Sequence, residues 1–131
     1  MIVIDASAVL ELLLRTEKGI KVQGRALVSR ESLHAPHLID IEVTQTLRGL
    51  VHLKQISAAR GKQAVEDHVA LNIKRTGHRE LLERVWSLRE SVTAYDAAYV
   101  VLAEVLDAPL ITCDAKLARS HRHEARIELF E

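Results

Sequence analysis

Cysteine is almost absent from this chain, and so is any excess of charge of one sign. Cys113 is the single cysteine, so neither an intramolecular disulfide nor a cysteine-based zinc site is available. The 18 Lys and Arg residues balance 18 Asp and Glu residues, which leaves no general electrostatic reason to bind nucleic acid. Any such binding must therefore come from a local arrangement of charge.

Long hydrophobic runs are missing as well. No stretch approaches the roughly 18 consecutive apolar residues that a bilayer span needs. The sequence starts with Ile2-Val3-Ile4, and it lacks the basic leader, apolar core and cleavage site of a secretion signal. We therefore expect a cytoplasmic protein that does not associate with membranes.

Glycine, proline and aromatic residues are scarce. Five Gly and two Pro are spread over 131 residues, with no low-complexity linker and no internal repeat. Hydrophobic residues make up 48% of the chain, which argues against disorder. These features predict one domain spanning residues 1–131, with a core of its own. Because only 3% of the residues are aromatic, we do not expect an extended surface for stacking bases.

Short apolar strands alternate with helical patterns along the chain. The predicted strands are 2–4, 33–35, 72–76, 110–113 and 127–130, of which 72–76 is polar enough to lie at an edge. The predicted helices are 8–14 with Ser7 placed to cap it, 19–29, 36–53 with Pro36 in its first turn, 57–71, 81–89 and the nearly all-apolar 94–106. This alternation predicts an α/β fold with a small, mainly parallel sheet, in which ligands bind beyond the carboxyl ends of the strands.

Four acidic residues stand at positions where such a sheet builds a site. Asp5 follows the first strand and Asp114 follows the strand that ends at Cys113. Glu42 borders the apolar face of its predicted helix, and Asp96 lies at the start of the buried one. Each acid taken alone is equally explained as a turn residue, a helix cap or a solvated side chain. The same holds for two hydroxyl side chains at the two strand ends, Ser7 and Thr112.

Taken together, the four acids predict a metal site. Carboxylates that converge on one pocket repel one another, and a divalent cation removes that conflict. A ligand set made only of oxygen favours Mg²⁺ or Mn²⁺. Asp5 and Asp96 are the expected direct ligands. Glu42 and Asp114 would complete the shell, hold a second metal or orient an attacking water, and the hydroxyls of Ser7 and Thr112 would position the aspartates or the substrate.

The same residues carry a family resemblance over nearly the whole chain. Four segments resemble, in order, the motifs of PIN-domain proteins and in particular of the VapC toxins of bacterial toxin–antitoxin pairs: 1–8, 35–43, 93–99 and 110–118. Two positions differ from many relatives, since Gln45 replaces an asparagine and Lys116 stands where some relatives carry a further acid.

The resemblance implies a fold, an activity and partners. The fold is a three-layer α/β/α sandwich. The activity is that of an endoribonuclease dependent on Mg²⁺ or Mn²⁺, often acting on structured RNA such as tRNA. The partners are a second copy in a homodimer and a cognate VapB-like antitoxin, whose tail enters the acidic pocket and which builds a larger hetero-oligomer.

Three other functions compete with this interpretation. A Mg²⁺-binding receiver domain of a signalling system would need an Asp after its central strand, and the predicted strand 72–76 ends without one. A phosphatase using Asp5 as nucleophile would usually have a second acid two residues on, where this chain has Ser7. An inactive PIN-like scaffold that only binds partners fits the fold equally well, although all four acids are retained.

Two short basic segments are candidates for contacts with RNA phosphates. Lys18, Lys21 and Arg25 share one face of a predicted helix, and Lys74 is followed by Arg75. Phosphate contacts supply most of the non-specific affinity for nucleic acid. A solvated face explains either segment equally simply.

Overall fold

The computed structural model describes all residues from Met1 to Glu131. Its strands are β1 (Ile2–Ile4), β2 (Leu33–Pro36), β3 (Ile73–Thr76), β4 (Leu110–Thr112) and β5 (Ile127–Leu129). Its helices are α1 (Ala6–Leu13), α2 (Glu17–Ala26), α3 (Ile39–His52), α4 (Ala58–Ala70), α5 (Leu82–Ser87), α6 (Ala94–Leu106) and α7 (Ala115–Ala118), and a 3₁₀ turn at Arg79–Leu81 precedes α5.

The five strands form one sheet in the order β3-β2-β1-β4-β5, and every pairing is parallel. Strand β1 lies at the centre, and its three apolar residues are buried because helices cover both faces of the sheet. From β1 the chain first adds β2 and β3 on one side, then crosses to add β4 and β5 on the other. The order therefore reverses between β1 and β4, at the point where parallel sheets bind ligands.

The helices complete a three-layer α/β/α sandwich. Helix α6 packs against β1, β2 and β4, and seven consecutive residues, Ala97–Ala103, are buried, as its apolar composition predicts. Helix α1 packs against α2, α3 and α4. The predicted fold class is confirmed, with a sheet that is wholly parallel. No helix combines the length and the apolar character required to cross a bilayer.

Two local predictions are wrong. Helix α1 begins at Ala6 and is capped by Asp5, whose Oδ1 accepts the Ala8 N–H at 3.0 Å, so Ser7 lies inside the helix instead of capping it. Helix α3 begins at Ile39 rather than at Pro36. Pro36 instead ends β2, because that strand stays paired with β3 as far as Thr76.

Candidate active site

Asp5 is the buried centre of the candidate site. It directly follows β1, and only 5% of its surface is exposed. Its Oδ1 accepts the Ser7 hydroxyl at 2.7 Å as well as the Ala8 amide, and its Oδ2 accepts the Thr112 hydroxyl at 2.5 Å. Burial raises the pKa of the Asp5 carboxyl, these hydrogen bonds lower it, and the charge of Asp96 raises it further.

Ser7 and Thr112 join the ends of β1 and β4 around this carboxylate. The Ser7 Oγ accepts the Cys113 N–H at 2.9 Å, and the Thr112 Oγ1 accepts the Asp114 N–H at 3.0 Å. Each hydroxyl therefore accepts a backbone N–H from the segment that follows β4 and donates its own proton to Asp5. The two hydroxyls fix the orientation of the carboxylate, in the positioning role that the sequence suggested for them.

Glu42 reaches the site from the first turn of α3. Its Oε1 accepts the hydroxyl of Tyr99 at 2.6 Å, and Tyr99 is buried in α6 with 1% of its surface exposed. Burial raises the pKa of the Glu42 carboxyl, the Tyr99 hydrogen bond lowers it, and the charges of Asp96 and Asp5 raise it. Sequence reasoning missed Tyr99. The available signal was its position three residues after Asp96, which puts both on one face of α6, together with the need of a buried tyrosine hydroxyl for a partner.

Asp96 lies in the first turn of α6, which Thr93 caps by accepting the Asp96 N–H at 3.2 Å. Its surface is partly exposed. Burial raises the pKa of the Asp96 carboxyl, and so does the charge of Asp114, while the Thr93 hydrogen bond and the charge of Lys116 lower it. Asp96 interacts with each of the other three acids, so it is the link between them.

Asp114 caps the short helix α7. Its Oδ1 accepts the amides of Lys116 at 2.9 Å and Leu117 at 3.4 Å. Asp114 therefore both caps α7 and belongs to the candidate site. Its Oδ2 accepts no hydrogen bond from the chain, and the charge of Asp114 acts on Asp96.

The structure brings all four predicted acids into one electrostatically coupled group. No three side chains of the His, Cys, Asp or Glu type are close enough to hold an ion by themselves. An ion at this site would therefore need ligands in addition to these side chains, such as waters or substrate phosphates. The raised pKa values of Asp5, Glu42 and Asp96 share one leading cause, the desolvation of each carboxylate by burial.

In each of the two basic segments that the sequence singled out, the arginine is paired with a carboxylate. Arg25 makes a two-pronged contact with Glu128, at 2.9 and 3.1 Å, and a further one with Glu31 at 3.2 Å. Arg75 binds Asp40 at 2.8 Å. Other cations, missed by sequence reasoning, line a cavity of about 690 Å³ that Asp96 also lines. They come from two segments that are far apart in the sequence, the loop between α5 and α6 and the stretch from α7 to residue 122.

Fold and site are together those of a parallel α/β protein with an acidic centre at the switch point of its sheet. Comparison of the sequence with known proteins identifies the family within this class. The PIN domain family matches residues 2–122. Ribonuclease VapC12 of Mycobacterium tuberculosis is 43% identical over 98% of both chains, and Ribonuclease VapC1 of the same organism is 39% identical over 97% of this chain and 96% of its own. This chain belongs to the PIN-domain family, and within it to the VapC ribonucleases.

Solved structures agree with this assignment of the fold. The crystal structure of PAE2754 from Pyrobaculum aerophilum superposes with a TM-score of 0.69 at 26% identity, covering 96% of this chain and 81% of that one. Mycobacterium tuberculosis VapC20, described as a Sarcin-Ricin loop cleaving toxin, superposes with a TM-score of 0.67, covering 90% and 93%. Because the two sequences are only 9% identical, this similarity supports the fold and nothing further. Family membership excludes the receiver-domain alternative.

Proposed function

We propose that this protein is a metal-dependent endoribonuclease toxin of a VapBC-type toxin–antitoxin pair. The observation that carries the proposal is the coupled group of Asp5, Glu42, Asp96 and Asp114 at the switch point of the sheet. In a chain whose relatives are named ribonucleases, this group supports hydrolysis of RNA phosphodiester bonds. Structured RNA such as tRNA is the proposed substrate class.

Mg²⁺ or Mn²⁺ is the proposed cofactor, and the residues fit it. They offer only oxygen, and the Asp5 carboxylate has accepted three hydrogen bonds out of about four that it can accept. Asp5 and Asp96 would hold the cation, with Glu42 and Asp114 completing its surroundings. When bound, the cation offsets charge that develops on the phosphate and lowers the pKa of a water molecule.

The remaining steps belong to side chains of this protein. Glu42 keeps its Oε2 free of the Tyr99 hydrogen bond, so this oxygen is placed to take the proton of the attacking water. Its raised pKa strengthens it as a proton acceptor. Ser7 and Thr112 hold Asp5 still, so that the site does not reorganise during the reaction.

The test is cleavage of RNA by purified protein freed of any partner. We expect cleavage with Mg²⁺ or Mn²⁺, none in EDTA, and a loss of at least about 100-fold for Asp96→Asn. Glu66→Gln removes one exposed acid from α4 and serves as the matched control, with unchanged activity. Cleavage that persists in EDTA would overturn the metal requirement. No cleavage of any RNA with either metal would favour the inactive scaffold.

The proposed partners are tested separately. Co-expression with the neighbouring reading frame should yield a complex with a small antitoxin-like protein, and that complex should not cut RNA until the antitoxin is removed. Light scattering of the free protein should give twice the 14.7 kDa chain mass if it is a homodimer. Failure of both experiments would remove the partners and leave the nuclease proposal standing.

A further inference from the structure

A cavity opens directly beside the acidic site. Its volume is about 690 Å³, and its walls are the loop that joins α5 to α6 and the segment from α7 to residue 122. Thr93 and Asp96 belong to both the cavity and the candidate active site. A molecule that occupies the cavity therefore continues into the carboxylate group.

The cavity is lined by cations in a chain whose net charge is zero. Arg89, Lys116, Arg119 and Arg122 face two acids, Glu90 and Asp96. The side chains of Lys116, Arg119 and Arg122 are exposed and make no ion pair or hydrogen bond.

The cavity brings several unpaired cations together in one place. Several arginines elsewhere are held by carboxylates within hydrogen-bond distance, as in the pairs of Arg25 with Glu128, Arg84 with Glu104, and Arg126 with Asp107. At the cavity the nearest such contact is that of Arg89 with Glu90 at 3.9 Å, and Arg89 is also stacked over the ring of Trp86 at 4.8 Å. The four cations outnumber the two acids of the cavity, so its lining carries a net positive charge.

We infer that this cavity binds the phosphate backbone of the RNA strand next to the bond that is cut, with Arg119 and Arg122 contacting phosphates. The inference rests on the proposed function and adds to it the path of the substrate. Only two of the twelve lining residues are hydrophobic, and none is Phe, Tyr or Trp, so charge rather than apolar surface is what the cavity mainly offers a ligand. Contacts of this kind position the substrate without reading its sequence.

The inference predicts the effect of removing two of these cations. In an Asp5→Asn background with EDTA the RNA stays intact, and anisotropy of a labelled tRNA measures binding alone. Each phosphate contact to a single strand contributes about 0.7 to the slope of log affinity against log salt. Arg119→Gln with Arg122→Gln should therefore flatten that slope by about 1.4 and weaken binding about 25-fold at 0.1 M salt. A labelled RNA of scrambled sequence should lose the same factor.

A matched control removes equal charge elsewhere. Lys54, which follows α3, and Lys62 on α4 have exposed side chains without partners, so Lys54→Gln with Lys62→Gln makes the same change in net charge. We expect less than a twofold effect on binding from this pair. Equal losses from both pairs, or no loss from the cavity pair, would overturn the inference. Thermal melting of each double variant verifies that the fold is intact.

Two further measurements distinguish this inference from the proposed function and from the binding of an acidic protein segment. In the otherwise unaltered protein, the cavity pair should slow cleavage at low RNA concentration and leave the position of the cut unchanged. If the unaltered protein cuts RNA and the cavity pair binds and cuts as well, the inference fails while the proposed function stands. If an oligoglutamate peptide depends on Arg119 and Arg122 more strongly than RNA of equal charge does, the cavity is a site for an acidic protein segment and the inference is wrong.

Discussion

Replacing Asp5 by asparagine should abolish cleavage and at the same time stabilise the metal-free protein. The carboxylate is 5% exposed, and burial raises its pKa above the ordinary value of 3.8. A raised pKa means that the folded state resists ionisation. The contribution of Asp5 to the free energy of unfolding is therefore greatest below pH 3.8. It falls as the pH rises through the higher pKa that this carboxyl has in the folded state.

The hydrogen bonds around the side chain allow the replacement. The amide oxygen takes the place of Oδ1 and accepts from Ser7 and Ala8, and asparagine is as good a helix cap as aspartate. The amide nitrogen takes the place of Oδ2 and donates to Thr112. The Thr112 hydroxyl then turns to the Ser7 oxygen, which lies 3.2 Å away. No buried polar group loses its partner.

The size of the effect follows from two opposing contributions. Each unit by which the carboxyl pKa is raised costs the ionised folded state about 1.4 kcal/mol. The neutral amide gives up the interaction of a negative charge with the N-terminus of α1, which is worth about 0.3–1 kcal/mol. The first contribution prevails for a buried carboxylate such as Asp5. We expect the melting temperature in EDTA at pH 7 to rise by a few degrees, since about 1 kcal/mol moves it by roughly 3–5 °C in a domain of this size.

The assay is thermal melting of the Asp5→Asn variant and the unaltered protein in EDTA, at pH 7 and at pH 5. The difference should be larger at pH 7, because more of the Asp5 carboxyl is then ionised. Glu66→Gln, an exposed acid on α4, should show no such difference. Added Mg²⁺ should raise the melting temperature of the unaltered protein, by about 2.7 kcal/mol of stability at 100 times its Kd, and should barely affect the variant. A variant that is less stable than its parent at pH 7 in EDTA would refute this reasoning.

Two further predictions concern the partner of Glu42 and the packing of α2. Tyr99→Phe removes a hydrogen bond that lowers the Glu42 pKa, so the acidic limb of the pH–rate profile should move to higher pH; an unmoved limb would show that ionised Glu42 is not required. Gly19→Ala would place a Cβ 2.0 Å from the Glu11 carbonyl oxygen and should cost roughly 3 kcal/mol or more in urea unfolding. Gly24→Ala in the same helix meets open space and should gain about 0.5–1 kcal/mol, and equal effects at both glycines would contradict the packing described.

Most of the fold could be predicted because its signals are local. Helix α6 was predicted at its observed bounds, since an all-apolar run after Thr93 has both a start signal and a length typical of a helix. The polar pattern of 72–76 correctly indicated an edge strand. The start of α3 was wrong because proline suits both the first turn of a helix and the end of a strand. Pairing of Pro36 with Thr76 across the sheet decided the matter, and a sequence window does not contain that pairing.

The same difference between local and long-range signals decides which residues of the candidate site could be predicted. Asp5 and Asp114 could be found because each directly follows a predicted strand, and parallel strands bring their carboxyl ends to one edge. Tyr99 was missed because its partner, Glu42, is 57 residues away and on another helix. The predicted RNA contact at Arg25 overlooked Glu128, which arrives from β5 and occupies the guanidinium. The sequence shows which residues are charged, but only the fold shows which charged residues lie close enough to neutralise one another.

The arrangement of charge also explains how a chain with no net charge can act on a polyanion. Carboxylates are concentrated where β1 and β4 end, and unpaired cations lie at the cavity beside them. A local field requires only that charges of one sign be gathered within about a Debye length, roughly 8–10 Å in physiological salt, while the others are paired or lie farther away. Lys116 stands where the two regions meet, and its charge lowers the pKa of the Asp96 carboxyl. Lys116→Gln should therefore raise the Asp96 pKa in the metal-free protein, which NMR titration of the side-chain carboxyl measures directly. An unchanged titration of Asp96 would show that the cavity and the acidic site are electrostatically separate.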